Sequence, residues 1–331
     1  MKQAFRSLIC AAVTGALSLA VLPAAAQATQ PAVIFDMGGK FDKSFNESAY
    51  RGVERWKQET GKTYLEFEIS NDTQRVQAIR RMAERGASPV ISIGFAQASA
   101  LEQIAKEFPK THFAIIDAVV NQPNVQSVLF KEHEGSYLVG AMAVLVSKTG
   151  KVGFVGGMDI PLIRKFQCGF EQGAKATNPK VEVFSNMTGT TSTAWNDPTR
   201  GGELAKSQFA KGSDVVFAAA GGTGSGVYQA AKDAGKLAIG VDSNQNHLQP
   251  GTMLTSMVKR VDVAVYNVLK DWKPGLNVLG LKEGGVDYAL DQYNAKLVTP
   301  ALKAKVDAIK ADIIAGKIRV ADYMADAACK Y

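Results

Sequence analysis

From residue 32 to residue 242 the chain alternates short apolar runs with stretches of helical period, and this alternation restricts the possible fold more than any other feature. "AVIFDM", "YLEFEI", "PVISIG" and "HFAIIDA" are separated by helical patterns over residues 44–60, 73–85 and 96–108. After "NVQSVLF" the pattern restarts: a long helix near 132–148, "KVGFVGG", a helix near 162–178, "KVEVFS", a helix near 198–211, "DVVFAAA", a helix near 226–234 and "LAIGVD". Apolar strands separated by helices predict parallel sheets covered on both faces, an α/β fold, and the restart predicts two doubly wound lobes. No Pro- or Gly-rich linker divides them. The chain is expected to cross between lobes near residues 125–132, with "LTSMVKRVDVAVYNVLK" and "LKEGGVDYAL" as candidate return crossings. Residues 29–130 with part of 246–275 then form the first lobe, and 131–245 with 276–331 the second, joined as a hinge.

The first 28 residues read as a cleavable export signal. Lys2 and Arg6 supply the charged region, "LICAAVTGALSLAVL" the apolar core and "AQA" the small-residue cleavage site. Cys10 lies inside the apolar core behind the bulky Ile9, which does not fit lipid attachment, so the expected product is a soluble periplasmic protein. The remaining 303 of 331 residues suffice for about two domains. Without Lys2 and Arg6 the formal charge falls from +7 to +5, and the remaining basic residues never exceed two in a row, which argues against nucleic acid as a partner. Cys168 and Cys329 are free to pair in an oxidising compartment, but their positions in the sequence do not decide whether they meet.

Asp36, Asp117 and Asp242 each end an apolar strand run, where open α/β sheets bind ligands. A single Asp there reads more simply as a turn or cap residue; three in equivalent places point to a shared acidic cleft. In "FDMGGKFDKSFNESAYRG", Ser44 and Glu47 fit the S-x-x-E capping box, so a helix should start at Ser44 with Phe45 and Asn46 in its first turn. That places a ring and an amide at a strand-to-helix edge. Trp195 lies in the polar loop "TSTAWNDPTRGGE" and reads either as a ligand-facing ring or as satellite packing. With Phe45 it would clamp a flat ring, and Phe166 is the reserve partner. "GGTGSG", residues 221–226, resembles a dinucleotide loop, but Val227 stands where the third glycine belongs, so Gly222 marks close approach of backbone to a ligand. Lys259 follows an apolar run and reads as a solvated lysine or, alternatively, as one reaching into the cleft. His112, His133 and His247 make no metal-ligand set, and no catalytic nucleophile, P-loop or G-x-S-x-G elbow is present, so no cofactor, metal or enzyme activity is expected.

"DMGGKFDKSFNESAYRG", "DVVFAAAGGTGSGVYQAAKDAG", "GVDSNQ" and "LTSMVKRVDVAVYNVLK" resemble the basic membrane protein family of ABC-transporter substrate-binding proteins, typified by the purine nucleoside receptor of spirochaetes. The resemblance runs from about residue 33 to 287. It implies a type I periplasmic-binding fold holding a nucleoside between its lobes, as a monomer that serves a membrane permease with a cytoplasmic ATPase. By that analogy Phe45 stacks on the base, Asn46 and Asp117 bond its edge, and Asp36, Asp242 and Lys259 bond the ribose with backbone help near Gly222. The second stacking ring is usually Phe in the family, and here it is Trp195. Three alternatives stand beside this reading: a receptor for a sugar or other small polar ligand, a nucleoside-processing enzyme, and a transcription regulator of the same fold. The regulator would need a helix-turn-helix where the export signal lies.

Overall fold

The structure, a computed structural model, describes residues 29–329; the export signal expected over residues 1–28 lies outside the described residues. The first half builds β1 (Ala32–Phe35), α1 (Phe45–Thr60), β2 (Leu65–Glu68), α2 (Arg75–Glu84), β3 (Val90–Ile93), α3 (Ala98–Glu107), β4 (Phe113–Ile116) and β5 (Val125–Phe130). The second builds α4 (Glu132–Val146), β6 (Lys151–Met158), α5 (Pro161–Thr177), β7 (Glu182–Gly189), α6 (Pro198–Ala210), β8 (Val215–Ala219), α7 (Gly224–Asp233) and β9 (Leu237–Asp242). The rest of the chain adds β10 (Met253–Lys259), α8 (Val261–Lys270), β11 (Gly275–Leu279), β12 (Val286–Tyr288), α9 (Pro300–Ile314) and α10 (Tyr323–Asp326).

Two six-stranded sheets result, in the orders β11-β5-β4-β3-β1-β2 and β12-β10-β9-β8-β6-β7. The first is parallel throughout, and in the second only β12 runs antiparallel, against β10. Strand composition explains the layering. Val33 and Phe35 point into one core and Ala32 and Ile34 into the other, so β1 is apolar on both faces. The second sheet does the same, with Phe154 and Phe217 on one side and Val155 and Val216 on the other. Period-two alternation with apolar residues at both phases is what a strand covered by helices on both faces requires.

The later crossings fall where the sequence only partly indicated. β10, part of the segment expected with the first lobe, instead extends the second sheet, while α8 packs on α1 of the first. β11, within the segment assigned to the second lobe, pairs with β5 of the first sheet. The chain therefore passes between lobes at β5 to α4, β10 to α8 and β11 to β12. These passages lie side by side: the Lys131 amide donates to the Leu279 carbonyl, and the Arg260 amide to that of Gly285.

In the second lobe α4 and α5 approach closely enough to exclude side chains at their contact. A Cβ on Gly140 would lie 2.1 Å from the Phe170 carbonyl oxygen, and one on Gly173 2.0 Å from that of Tyr137. A disulfide joins Cys168 of α5 to Cys329, with their Cα atoms 5.1 Å apart, and holds the C-terminal tail on α5. The pairing that the sequence left open is thus made in the structure.

Candidate functional site

The two strand-end acids Asp117 and Asp242 share an unusual backbone. Their φ angles are +72° and +62°, in the left-handed region that costs most residues energy and that Asp tolerates best. Each strand thereby ends with its carboxylate swung out of the sheet at the edge facing the other lobe. Asp36 ends β1 beside them, and its carboxylate fits there because residue 94 is glycine: a Cβ on Gly94 would lie 2.7 Å from Asp36 Oδ2. Gly94 itself sits at φ +107°.

These carboxylates line one cleft between the lobes, concave and lined by apolar rings together with a few convergent polar groups, as small-molecule sites usually are. The first lobe contributes Asp36, Phe45, Asn46 and Asp117, and the second Phe166, Trp195, Asp242 and Lys259. Seven of the eight residues singled out from the sequence, and the reserve ring Phe166, thus share one wall-to-wall space. Gly222 does not line it; its neighbour Gly221 does. Gly222 lies against the Trp195 carbonyl and the Asn196 side chain, where a Cβ would sit 3.3 and 3.4 Å away.

The capping box expected at Ser44 is not made. Ser44 is the N-cap of α1 by position, but its side chain makes no capping bond. Asp42 takes over, its two oxygens accepting from the amides of Ser44, Asn46 and Glu47 at 2.8, 3.0 and 3.1 Å. Relieved of capping, the Ser44 hydroxyl donates to Asp242 Oδ2 at 2.7 Å, across the lobe boundary. The Asn46 amide is also engaged within its own lobe: Oδ1 accepts from the Asp36 amide at 3.0 Å and Nδ2 donates to Asp42 at 3.1 Å. Asp42, overlooked in the sequence, thus organises the whole entry to α1. The only hint was its place two residues ahead of a Ser, where an Asx turn is common.

Lys259, whose sequence context allows either a solvated or a cleft-facing ammonium, is 1% exposed. Its ammonium contacts Asp117 Oδ2 at 2.6 Å and Glu132 Oε1 at 2.9 Å. The rings of Phe45, Phe130 and Phe166 surround it, their centroids 5.1, 5.1 and 5.6 Å away. Burial works against its charge, yet Asp117, Glu132 and Asp242 outweigh that and raise its pKa. Glu132, at the first turn of α4, also pairs with Lys165 at 2.9 Å. Burial would neutralise Glu132, but Lys259 and Lys165 together hold its pKa well below the carboxylate range. Sequence reasoning missed Glu132 because an acidic residue opening a helix has an ordinary explanation in the helix dipole. Three buried carboxylates (Asp117, Glu132, Asp242) face two buried ammonium groups, so one acid is in excess. Accordingly burial pushes Asp242 up to about 7, only partly offset by Lys259 and the Ser44 bond. Burial raises Asp117 as well, against the pull of Lys259. Asp117 Oδ1 is buried and has no hydrogen-bond partner among the described residues.

Trp195 sits in a short 3₁₀ turn, Ser192–Trp195, and its ring packs against β6 so closely that a Cβ on Gly157 would come within 2.3 Å of it. It is therefore both packed and cleft-lining, and the two readings of this ring are not exclusive. A site made of rings on both walls, an unpaired buried acceptor and excess carboxylate suits a flat ligand rich in N–H and O–H donors.

Residues 29–322 match the family described as Bmp, ABC transporter substrate-binding protein PnrA-like. The chain belongs to this family. Among its relatives, the ABC transporter nucleoside-binding protein BmpA of Lactococcus lactis subsp. cremoris is 34% identical over 87% of this chain and 88% of its own length. Basic membrane protein A of Borreliella afzelii is 32% identical, over 86% and 89%. A solved solute-binding protein of an ABC transporter system from Aeropyrum pernix K1 superposes with a TM-score of 0.80 at 29% identity, covering 88% of this chain and 92% of that one. One from Conexibacter woesei gives 0.71 at 24% identity, over 89% and 99%, and speaks to the fold alone. This Bmp protein has the two-lobed type I periplasmic-binding fold. It is the substrate-binding protein of an ABC transporter, holding a small-molecule ligand and working with a membrane permease. Among the described residues no helix is long and apolar enough to cross a membrane.

Proposed function

We propose that the protein is a monomeric periplasmic receptor that closes on a purine nucleoside and delivers it to a permease driven by a separate ATPase. The observation that carries this reading is the unpaired oxygen of buried Asp117, set in the same cleft as Phe45, Phe166 and Trp195. A buried acceptor without a partner is costly unless a ligand donor fills it, and a purine brings N–H groups on the rim of a flat, stackable ring. The relative named as nucleoside-binding supports the same ligand class. In this reading Phe45 and Trp195 hold the two faces of the base, with Phe166 beside them. Asp117 bonds the base edge, and Asp36, Asp242 and Lys259 bond the ribose, with backbone close by at residues 221 and 222. Asn46 acts mainly by fixing the Asp36 backbone, since its amide is already bonded there. Closure follows because the ligand touches both lobes and therefore favours the shut form.

Titration with adenosine, guanosine, inosine and ribose, followed by tryptophan fluorescence and calorimetry, tests the proposal. Purine nucleosides should bind and ribose should not. Tight binding of bare sugar alone would turn the assignment to a sugar receptor, and conversion of inosine to free base would turn it to an enzyme.

A further inference from the structure

The sheet orders place β2 and β7 at the edges farthest from the three lobe passages, so the segments that follow them meet at the mouth of the cleft. Asp72 comes shortly after β2 and Ser192 shortly after β7. The Ser192 hydroxyl donates to Asp72 Oδ1 at 3.2 Å, a bond between lobes. Asp72 Oδ1 also pairs with Nη1 of Arg75, a side chain 9% exposed, whose Nη2 donates to Asp36 Oδ1 at 2.8 Å. One guanidinium thus links a carboxylate that lines the cleft to a contact that ties the lobes together. On the far side, Ser192 opens the turn that ends in Trp195, the ring lining the opposite wall. Other bonds between lobes, among them Ser44 to Asp242, Ser243 to the Ser44 carbonyl, Gln245 to the Lys43 carbonyl, Arg51 to Ser243 and Lys259 to Asp117, draw their second-lobe partners from β9, β10 and the segment between them, nearer the passages than β7.

We propose that Arg75, Asp72 and Ser192 form a latch across the cleft mouth, with Arg75 as the positioning residue that couples it to Asp36. Arg75 takes Asp36 Oδ1 and leaves Oδ2, the oxygen lying over Gly94, for a ligand hydroxyl. The fork geometry of a guanidinium suits this, because its two terminal nitrogens hold two carboxylates at once in fixed relation, which a lysine cannot do. When the lobes open, Asp72 and Ser192 part while the Asp36–Arg75–Asp72 chain stays whole, since all three belong to the first lobe. The latch therefore acts on ligand release and leaves entry unaffected. It depends on no particular ligand; only the probe chosen below rests on the nucleoside reading.

Adenosine is the probe, with dissociation and association followed by stopped-flow tryptophan fluorescence in wild type, Ser192→Ala, Ser192→Thr, Asp72→Ala, the Ser192→Ala/Asp72→Ala double variant and Arg75→Lys. Ser192→Ala should speed release about fivefold, the factor one net hydrogen bond represents, with the association rate and melting temperature unchanged. Ser192→Thr, which keeps the hydroxyl, should restore slow release. The double variant should release no faster than Asp72→Ala alone, and Arg75→Lys should speed release as well. Unchanged release in Ser192→Ala, or effects of the two single variants that simply multiply, would overturn the latch. If wild type binds none of adenosine, guanosine and inosine, the nucleoside reading falls and the latch is read without ligand. Spin labels on Lys62→Cys and Lys180→Cys then report the lobe separation, which Ser192→Ala must shift away from the closed distance; an unchanged distribution rejects the latch.

Discussion

Asp117 and Asp242 hold left-handed backbone at the tips of β4 and β9, and their environments make two measurable demands. Asp117→Asn keeps a residue type that tolerates positive φ, so the fold should survive while the charge-assisted bond to the ligand is lost. Adenosine affinity should fall by about 1.5 to 3 kcal/mol, read by calorimetry; an unchanged Kd would make Asp117 a turn former only. Asp242 sets the pH response. Its folded pKa, pushed up to about 7 by burial, exceeds the unfolded value of about 3.9, so its contribution to stability is fully present below about pH 3.9 and lost as pH rises through 7. Asp117 is shifted in the same direction. The ligand-free protein should therefore lose stability between about pH 4 and 7 in urea melts, and Asp242→Asn should flatten that loss. Hydroxyls donating to Asp242 favour its ionised form, so adenosine binding near pH 7 should release protons. Binding enthalpies compared in two buffers of different ionisation enthalpy check this, and no buffer dependence would contradict it. At this scale the sequence displayed the acids that end apolar runs, because the strand supplied the context. It hid Asp42 and Glu132, whose local surroundings look like ordinary caps, and it misplaced the Ser44 hydroxyl, because a tertiary partner, Asp242, replaced the local one.

The helices and strands from β1 to β9 follow directly from apolar periodicity, since strands buried on both faces and helices with one apolar face leave distinct patterns. β11 and β12 do not. "GLNVL" is largely exposed and "VDY" is only three residues long, so neither carries a burial pattern to read, and their sheet membership comes from tertiary pairing alone. The α4–α5 contact gives an element-scale prediction. Gly→Ala within a helix normally stabilises by up to about 1 kcal/mol. At Gly173 the sign should invert, because the new methyl would lie 2.0 Å from the Tyr137 carbonyl oxygen, backbone against backbone. Overpacking of this kind costs about 1 to 3 kcal/mol. Gly173→Ala should lower the melting temperature in calorimetric scans, while Gly→Ala at an exposed position such as Gly61 should not be used as its control, since φ there is +68°. A stabilised Gly173→Ala variant would mean that the two helices separate readily.

For the molecule as a whole, the disulfide between Cys168 and Cys329 closes a segment spanning 161 positions. Cross-links of this kind contribute about 2 to 4 kcal/mol, chiefly by restricting the unfolded chain. A Cys168→Ala/Cys329→Ser variant should melt earlier by several degrees but bind adenosine nearly as wild type, because neither cysteine lines the cleft. Loss of binding without loss of stability would show that the tail acts on the site. The three neighbouring passages between lobes carry a different consequence, one that concerns the order of synthesis. A chain delivered N-terminus first cannot finish its first sheet after β5, because α8 and β11 arrive only after β6 to β10 of the second have already emerged. Neither half can mature as a freestanding fragment cut from one stretch of the gene. A circular permutant opened at the loop between β9 and β10 would instead deliver α8 and β11 ahead of β1, so that the first sheet is complete once β5 emerges, testing whether late completion of that sheet governs the speed of maturation.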